Sequence, residues 1–224
     1  VHVHLATGVS GIDARRLRSL PLSHEPMLYV EAPSLSKVQV AAKRVFDLVV
    51  SVVLMVLTAP LFAVVAIAVK LQDRGPVYFR QQRVGRDGVT FDVLKFRTMG
   101  VDAEEQLAKL RAENERNGPL FKMESDPRVT RVGKLLRETS LDELPQLFNV
   151  VFKGNLSLVG PRPHAVQGKL QNRLFDDAVD GYFARHRVKP GITGWAQING
   201  WRGEVDTDEK IQKRVEFDLY YIEN

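Results

Sequence analysis

Residues 43–74 read KRVFDLVVSVVLMVLTAPLFAVVAIAVKLQDR, and this stretch decides the architecture. From Leu48 to Val69 it runs 22 residues in which Ser51 and Thr58 are the only polar members, with Pro60 near the middle. One helix of that length spans a hydrocarbon core of about 30 Å, so a transmembrane segment is the default reading. The flanks object. Lys43 and Arg44 precede the run and Lys70 and Arg74 follow it. Basic flanks prefer the cytoplasmic side, so a true crossing would put one pair on the wrong face. Pro60 offers another path, because it lacks an N–H and clashes with the carbonyl four residues earlier, which kinks or breaks a helix. Each limb beside Ala59-Pro60 would hold about 9 to 12 residues and measure roughly 14 to 18 Å, halfway through the hydrocarbon. The sequence therefore predicts a re-entrant helix-break-helix over 37–72 that enters and leaves on one face. The alternative, an ordinary buried helix, better suits a run of about 10 to 14 residues.

Around this segment the chain reads as α/β and mostly helical. Downstream, Val77-Tyr78-Phe79, Arg83-Val84-Gly85, Val89-Thr90-Phe91 and Val93 to Arg97 form short strands about an Arg86-Asp87-Gly88 turn, a β-hairpin signal. Residues 102–116 predict a charged surface helix ended by Asn117-Gly118-Pro119, and 128–153 a helical region broken at Thr139-Ser140. Apolar Leu170, Leu174, Phe175, Val179, Tyr182 and Phe183 predict an amphipathic helix over 167–186, suited to a core or to a membrane interface. Upstream, 1–36 reads as an irregular lead-in whose Met27-Leu28-Tyr29-Val30 could close a strand. The chain opens at Val1 without a Met and stops just after Tyr220-Tyr221-Ile222, so both ends read as cut from something larger. Three parts follow: the lead-in 1–36, the membrane helix 37–72, and a catalytic domain 73–224.

With 224 residues, one substantial core is expected. There is no cysteine, which excludes a disulfide framework, a thiol nucleophile and a Cys-ligated zinc site. The excess of 32 Lys+Arg over 27 Asp+Glu gives +5, which suits a phosphate-bearing partner, whether nucleotide, lipid headgroup or nucleic acid. The long apolar run argues against nucleic acid.

Chemistry concentrates in Arg137-Glu138-Thr139-Ser140-Leu141-Asp142-Glu143-Leu144-Pro145-Gln146. Ser140 and Glu143 stand at capping-box spacing, and spacing alone favours that plain structural reading. Two adjacent carboxylates at a helix start also make a site where one holds a hard cation and the other attacks phosphorus, since magnesium takes one or two carboxylates plus substrate phosphates. Arg137 could turn toward the same end and clamp a phosphate. Arg162, in Gly160-Pro161-Arg162-Pro163, is presented on a loop stiffened by two prolines. Lys95 and Arg97 alternate along one strand and would add to one basic pocket. The stretch Arg185 to Gln197 combines Arg185, Arg187 and Lys189 with glycines, Thr193 and Trp195, a set suited to nucleotide phosphates and a stacked base. Plain basic surface is its alternative.

Five motifs in order carry a resemblance over about residues 40 to 224: Lys43-Arg44-Val45-Phe46-Asp47, Lys95 to Met99, Thr139 to Gln146, Gly160 to Pro163, and Lys189 to Trp195. Together they resemble the monotopic polyprenyl-phosphate sugar-1-phosphate transferases of bacterial exopolysaccharide, O-antigen and capsule assembly. The resemblance implies a covalent, ping-pong transfer from a UDP-sugar such as UDP-glucose or UDP-galactose to undecaprenyl phosphate, with UMP released. Asp142 would be the nucleophile and Glu143 the ligand of Mg²⁺, with Mn²⁺ as the alternative ion. Arg137, Arg162, Lys95 and Arg97 would hold phosphates, and Arg185, Lys189, Thr193 and Trp195 the nucleotide. It also implies membrane lipids as surroundings, the cytoplasmic face of the bacterial inner membrane as location, a homodimer, and a nucleotide-binding-like domain of which 1–36 is the remnant. One departure stands out: family members often carry Ser-Pro at the helix break, where this chain has Ala59-Pro60, leaving Thr58 as the nearest hydroxyl. A non-catalytic lipid-binding scaffold and a polyprenyl diphosphate phosphatase are the competing functions.

Overall fold

The computed structural model describes residues 17–22, 25–30, 36–110, 126–165, 169–170, 173–174, 179, 182–203, 205 and 207–223. It divides into two compact units, Val1–Val40 and Ala41–Asn224. In the first, β1 (Leu17–Leu22) and β2 (Glu25–Val30) pair antiparallel with Leu17 opposite Val30, so the Met27 to Val30 strand is present.

The apolar segment folds as one helix, α1 (Lys37–Asp73), with Pro60 inside it. Two helices parted by a non-helical break were expected; instead the helix continues through the proline. Proline removes one hydrogen bond and crowds one carbonyl, which a helix with intact ladders on both sides absorbs as a local distortion. Thr58 donates its hydroxyl to the Leu54 carbonyl at 2.6 Å, so the backbone bond left to Thr58 by the Ala59-Pro60 sequence is made. The helix ends where Arg74 turns left-handed at φ 56° and Lys70 donates to the Arg74 and Gly75 carbonyls. Most of its apolar surface meets no protein: Val49, Val53, Val56, Leu57, Val64 and Ile67 are all more than half exposed. That excludes the ordinary buried core helix.

The C-terminal half of α1 does bury one stripe. Val65 and Val69 pack with Phe96 and Leu136, flanked by Phe62, Ala66, Val77, Val132, Leu141 and Leu144. Phe96 ends β4 (Thr90–Phe96), which pairs antiparallel with β3 (Tyr78–Val84), Tyr78 opposite Phe96, as the hairpin signal predicted. Asp87 at φ 56° and Gly88 at φ 77° supply the left-handed residues of its turn. After β4 comes α2 (Ala103–Leu110); the rest of the predicted 102–116 helix lies outside the described residues.

Leu136 belongs to α3 (Arg131–Thr139), whose first turn is capped by Thr130 accepting from the Gly133 N–H at 2.9 Å. Gly133 is where α3 presses on the strand exit: a β-carbon there would lie 2.0 Å from the Thr98 carbonyl oxygen. Beyond α3, a 3-10 turn at Leu141–Glu143 leads into α4 (Gln146–Phe148) and a π-turn at Asn149–Lys153, so the interruption at Thr139-Ser140 is real. Strand β5 (Ser157–Val159) later pairs parallel with β8 (Gly191–Thr193).

The amphipathic helix predicted over 167–186 is not what the described residues form. Lys169–Leu170 (β6) and Arg173–Leu174 (β7) pair antiparallel, and Tyr182–Arg187 is a 3-10 helix. Cross-strand pairing and packing outweigh a spacing signal built from six apolar residues. Tyr182 of that turn joins Ile211 and Val215 in a second core, supplied by α6 (Asp208–Glu223), which follows α5 (Trp195–Ile198). Gly133→Ala should lower the melting temperature in detergent, with a loss of about 1 to 3 kcal/mol from overpacking, while the exposed Leu135→Ala changes it little.

Candidate active site

The site assembles from the turn after α3. Ser140 is left-handed at φ 59°, its hydroxyl accepts from Arg202 at 2.7 Å, and it makes no side-chain cap. The capping box predicted by spacing is therefore absent: Glu143 turns its carboxylate away from the helix start. Leu141 and Leu144 sink into the core beneath α1, so the two residues between them, Asp142 and Glu143, face the other way.

Glu143 Oε1 accepts from Lys95 Nζ at 2.8 Å and from Arg162 NH2 at 3.0 Å. Lys95 Nζ also lies 3.9 Å from Asp142 Oδ2. Lys95, Glu143 and Arg162, remote in sequence, meet at an open pocket whose lining also includes Arg83, Gln146 and Ile192, with Asp142 beside Glu143. Burial pushes the Glu143 carboxyl up, but the charges and hydrogen bonds of Arg162 and Lys95 outweigh it and hold the carboxyl below its ordinary value. For Asp142 burial wins, aided by the Glu143 charge and opposed by Lys95, and its carboxyl is raised. Two neighbouring carboxylates pushed apart in pKa are the pattern of groups with different tasks.

Arg83 was not anticipated. It sits on β3, donates to Gln81 Oε1 at 2.7 Å, and has its pKa lowered by burial and by the Arg162 charge, against the pull of Glu143. Its place opposite Phe91 in the hairpin register is the signal that would have brought it toward Lys95. Arg137 donates its Nε to Thr98 Oγ1 at 2.9 Å and lies close enough to lower the Asp142 pKa.

Other candidates are engaged elsewhere. Arg97 forks onto Asp73, with NH1 at 2.6 Å from Oδ2, and donates Nε to the Pro76 carbonyl at 2.6 Å, so its fork is occupied away from the pocket. Arg185 is 2% exposed. It pairs with Asp218 at 2.6 Å, donates to the Arg162 carbonyl at 2.7 Å, and lies 2.6 Å from His164 Nδ1, so it braces the loop that carries Arg162 rather than facing a nucleotide. Of the Lys189 to Trp195 stretch, Gly191 and Ile192 line the pocket. Lys189 has its pKa lowered by burial and by Arg44 and Arg86. Thr193 is exposed and pairs with Val159, and Trp195 stacks on Tyr220 at 5.9 Å between ring centroids. The glycines there serve contact: a β-carbon on Gly191 would lie 2.1 Å from the Gly160 nitrogen, which brings the Arg162 loop against β8.

The donor chemistry of Glu143, with Asp142 beside it, suits a hard cation such as magnesium. No cluster of three His, Asp or Glu exists among the described residues. Two adjacent carboxylates with substrate phosphates completing the shell are what this small, strongly hydrated ion accepts. Glu143 Oε1 takes both cation contacts, which leaves Oε2 as the oxygen a metal ion would meet.

The family model described as bacterial sugar transferase matches residues 38–224. The chain belongs to that family. It is 49% identical over 197 residues to the UDP-glucose:undecaprenyl-phosphate glucose-1-phosphate transferase of Escherichia coli, covering 88% of this chain and 39% of that protein. It is 44% identical over 214 residues to the undecaprenyl-phosphate galactose phosphotransferase of Salmonella typhimurium, 92% of this chain and 42% of that one. The exopolysaccharide production protein PSS of Rhizobium leguminosarum bv. phaseoli is 40% identical over 182 residues, 81% of this chain and 86% of that protein. This sugar transferase chain thus spans about two fifths of the first two relatives and most of the third.

The cluster behind Arg162 makes the fold sensitive to acid. Burial, then the charges of Arg185, Arg214 and Arg83, hold His164 well below its ordinary value, and burial with Arg185 puts His186 at about 4. Both imidazoles stay neutral in the folded chain and gain protons in the unfolded one. Stability should therefore be constant above about pH 7 and fall as pH drops through the unfolded histidine value of about 6.5 toward 4, and His164→Gln should flatten part of that fall in a series of melting curves.

Proposed function

We propose that this chain is the catalytic part of a phosphoglycosyl transferase that moves a sugar-1-phosphate from a UDP-sugar to undecaprenyl phosphate. The observation that carries the reading is the asymmetry of the dyad: Glu143 is gripped by two cations at 2.8 and 3.0 Å, while the carboxylate of the adjacent Asp142 stands 3.9 Å from Lys95 Nζ. A carboxylate so placed is available to attack. An Asp142 oxygen adds to the β-phosphorus, the bond from that phosphorus to the bridging oxygen breaks, and UMP departs with the bridging oxygen. The phosphate oxygen of undecaprenyl phosphate then attacks the same phosphorus and returns Asp142 as a free carboxylate. Lys95, Arg162 and Arg83 offset the phosphate charge that would otherwise repel the nucleophile. Glu143 would hold Mg²⁺, or Mn²⁺ in its place, which would supply further neutralisation of the diphosphate.

Acceptor and donor are argued from relatives whose names specify undecaprenyl phosphate with glucose or galactose, and the PSS name supports a place in exopolysaccharide synthesis. The membrane reading rests on α1. Its outward valines and leucines fit hydrocarbon, and Lys43, Arg44, Lys70 and Arg74 at both ends fit one cytoplasmic face if the helix bends at Pro60 and returns. In that arrangement 37–72 is the re-entrant membrane segment of the bacterial inner membrane and 73–224 the catalytic domain.

Detergent-solubilised protein should release UMP from one or more of a panel of UDP-sugars only with divalent metal, and Asp142→Asn should reduce that release by at least about a thousandfold, as expected for loss of a nucleophile. Transfer of radiolabelled sugar phosphate into the lipid fraction separates this reaction from diphosphate hydrolysis. Full activity in Asp142→Asn would sink the mechanism.

A further inference from the structure

The two cations on Glu143 come from different elements, and each of those elements is tied to a different end of α1. Near the start of the helix stands Asp47, 4% exposed at the front of the apolar run. Its Oδ2 accepts from Ser157 Oγ at 2.7 Å, and its Oδ1 accepts from the Leu158 N–H at 3.3 Å and from Lys43 Nζ at 3.4 Å. Lys43 Nζ donates in turn to Ser157 Oγ at 2.7 Å, and Arg44 donates to the Val150 carbonyl at 2.8 Å. Ser157 opens β5, the strand that runs directly into the Arg162 loop. At the other end stands Asp73, the last residue of α1, which receives the fork of Arg97 and the Gly75 N–H at 3.1 Å. Arg97 follows Lys95 by two positions. One continuous helix, with Pro60 inside it, thus runs between the anchor of the Arg162 strand and the anchor of the Lys95 strand.

A plain anchoring role would be served by contacts anywhere on the domain, and the apolar stripe of Val65 and Val69 already supplies one. A carboxylate buried at the head of a hydrophobic run is costly unless it is fully paired, so its pairing with the backbone that leads to Arg162 calls for a function. We propose that Asp47 and Asp73 are positioning residues through which α1 sets the placement of Arg162 and Lys95 about Glu143, so that the shape of the membrane helix controls the geometry of the dyad. The inference rests on the reading of Asp142 and Glu143 as the reacting pair. It also gives Lys43, Arg44 and Arg97 work inside the protein beyond charge at a membrane surface or on a phosphate. A change in the course of α1 at Pro60, driven by the surrounding lipid, would reach the site through these two carboxylates.

The test is pre-steady-state UMP release by the whole chain in nanodiscs, without acceptor, for wild type, Asp47→Asn, Asp73→Asn, and the longer but equally charged Asp47→Glu and Asp73→Glu. Burst amplitude counts competent molecules, and the burst rate constant reports how well the dyad is set. The proposal expects the rate constant to fall about ten- to a hundredfold in all four variants, the scale of roughly 1 Å misplacements, with amplitude retained in the two Glu variants. Wild-type rate constants in the folded Glu variants would overturn it, as would losses confined to amplitude, which mark a merely structural role. Absence of a burst in wild type, or its survival in Asp142→Asn, would instead remove the functional reading beneath it.

Discussion

One carboxylate oxygen, Glu143 Oε1, accepts from both Lys95 and Arg162, and the three elements that meet at the pocket converge on it. Without that oxygen two cations would face each other in a half-buried space, with Arg83 as a third. Cations left without their partner in a partly desolvated space destabilise it, so the hairpin, the turn after α3 and the loop after β5 are held to one arrangement. The grip also sets the two carboxylates apart, because a Glu143 oxygen engaged twice is a poor nucleophile while Asp142 has only the longer 3.9 Å approach of Lys95.

The hydrophobic side of the same turn supplies the force. Leu141 and Leu144 pack, partly buried, against the α1 stripe and Phe96, each contributing a share of the roughly 1.5 to 3 kcal/mol that a fully buried side chain supplies. With both leucines turned to the helix, Glu143 between them is left to line the pocket. The left-handed Ser140 makes this possible by ending α3 abruptly, with its N–H still bonded to the Arg137 carbonyl at 3.3 Å. Behind the pocket, Arg185 keeps the Arg162 loop in place from the far side, paired with Asp218 in a cluster closed off from solvent.

The long apolar helix, long enough to cross a membrane, is also part of the scaffold. Its outward face is apolar and uncovered, its inward stripe forms the core of the domain, and its two ends are fixed by buried or half-buried carboxylates. Lys43 and Arg44 look from sequence like flanking charges, yet both donate hydrogen bonds into the domain.

The sequence by itself determined what depends on local pattern: the apolar helix, the hairpin about Arg86-Asp87-Gly88, the interruption at Thr139-Ser140, and the Asp142-Glu143 pair as the place to look. Ordered motifs also carried the family, since matching short segments in sequence order requires no contact map. Tertiary structure alone decided which charges belong together. Lys95 and Arg97 look alike in the sequence, but Lys95 reaches Glu143 while Arg97 is taken by Asp73, because side chains two positions apart near a strand end meet different neighbours. Arg185 reads as a nucleotide contact and proves to be buried, and Arg83 reads as ordinary strand and proves to line the pocket. The capping box and the helix over 167–186 failed for the same reason. Local spacing states what a segment is able to form, and the choice between Glu143 capping a turn or binding two distant cations rests on partners 48 and 19 residues away, which only the folded chain brings within reach.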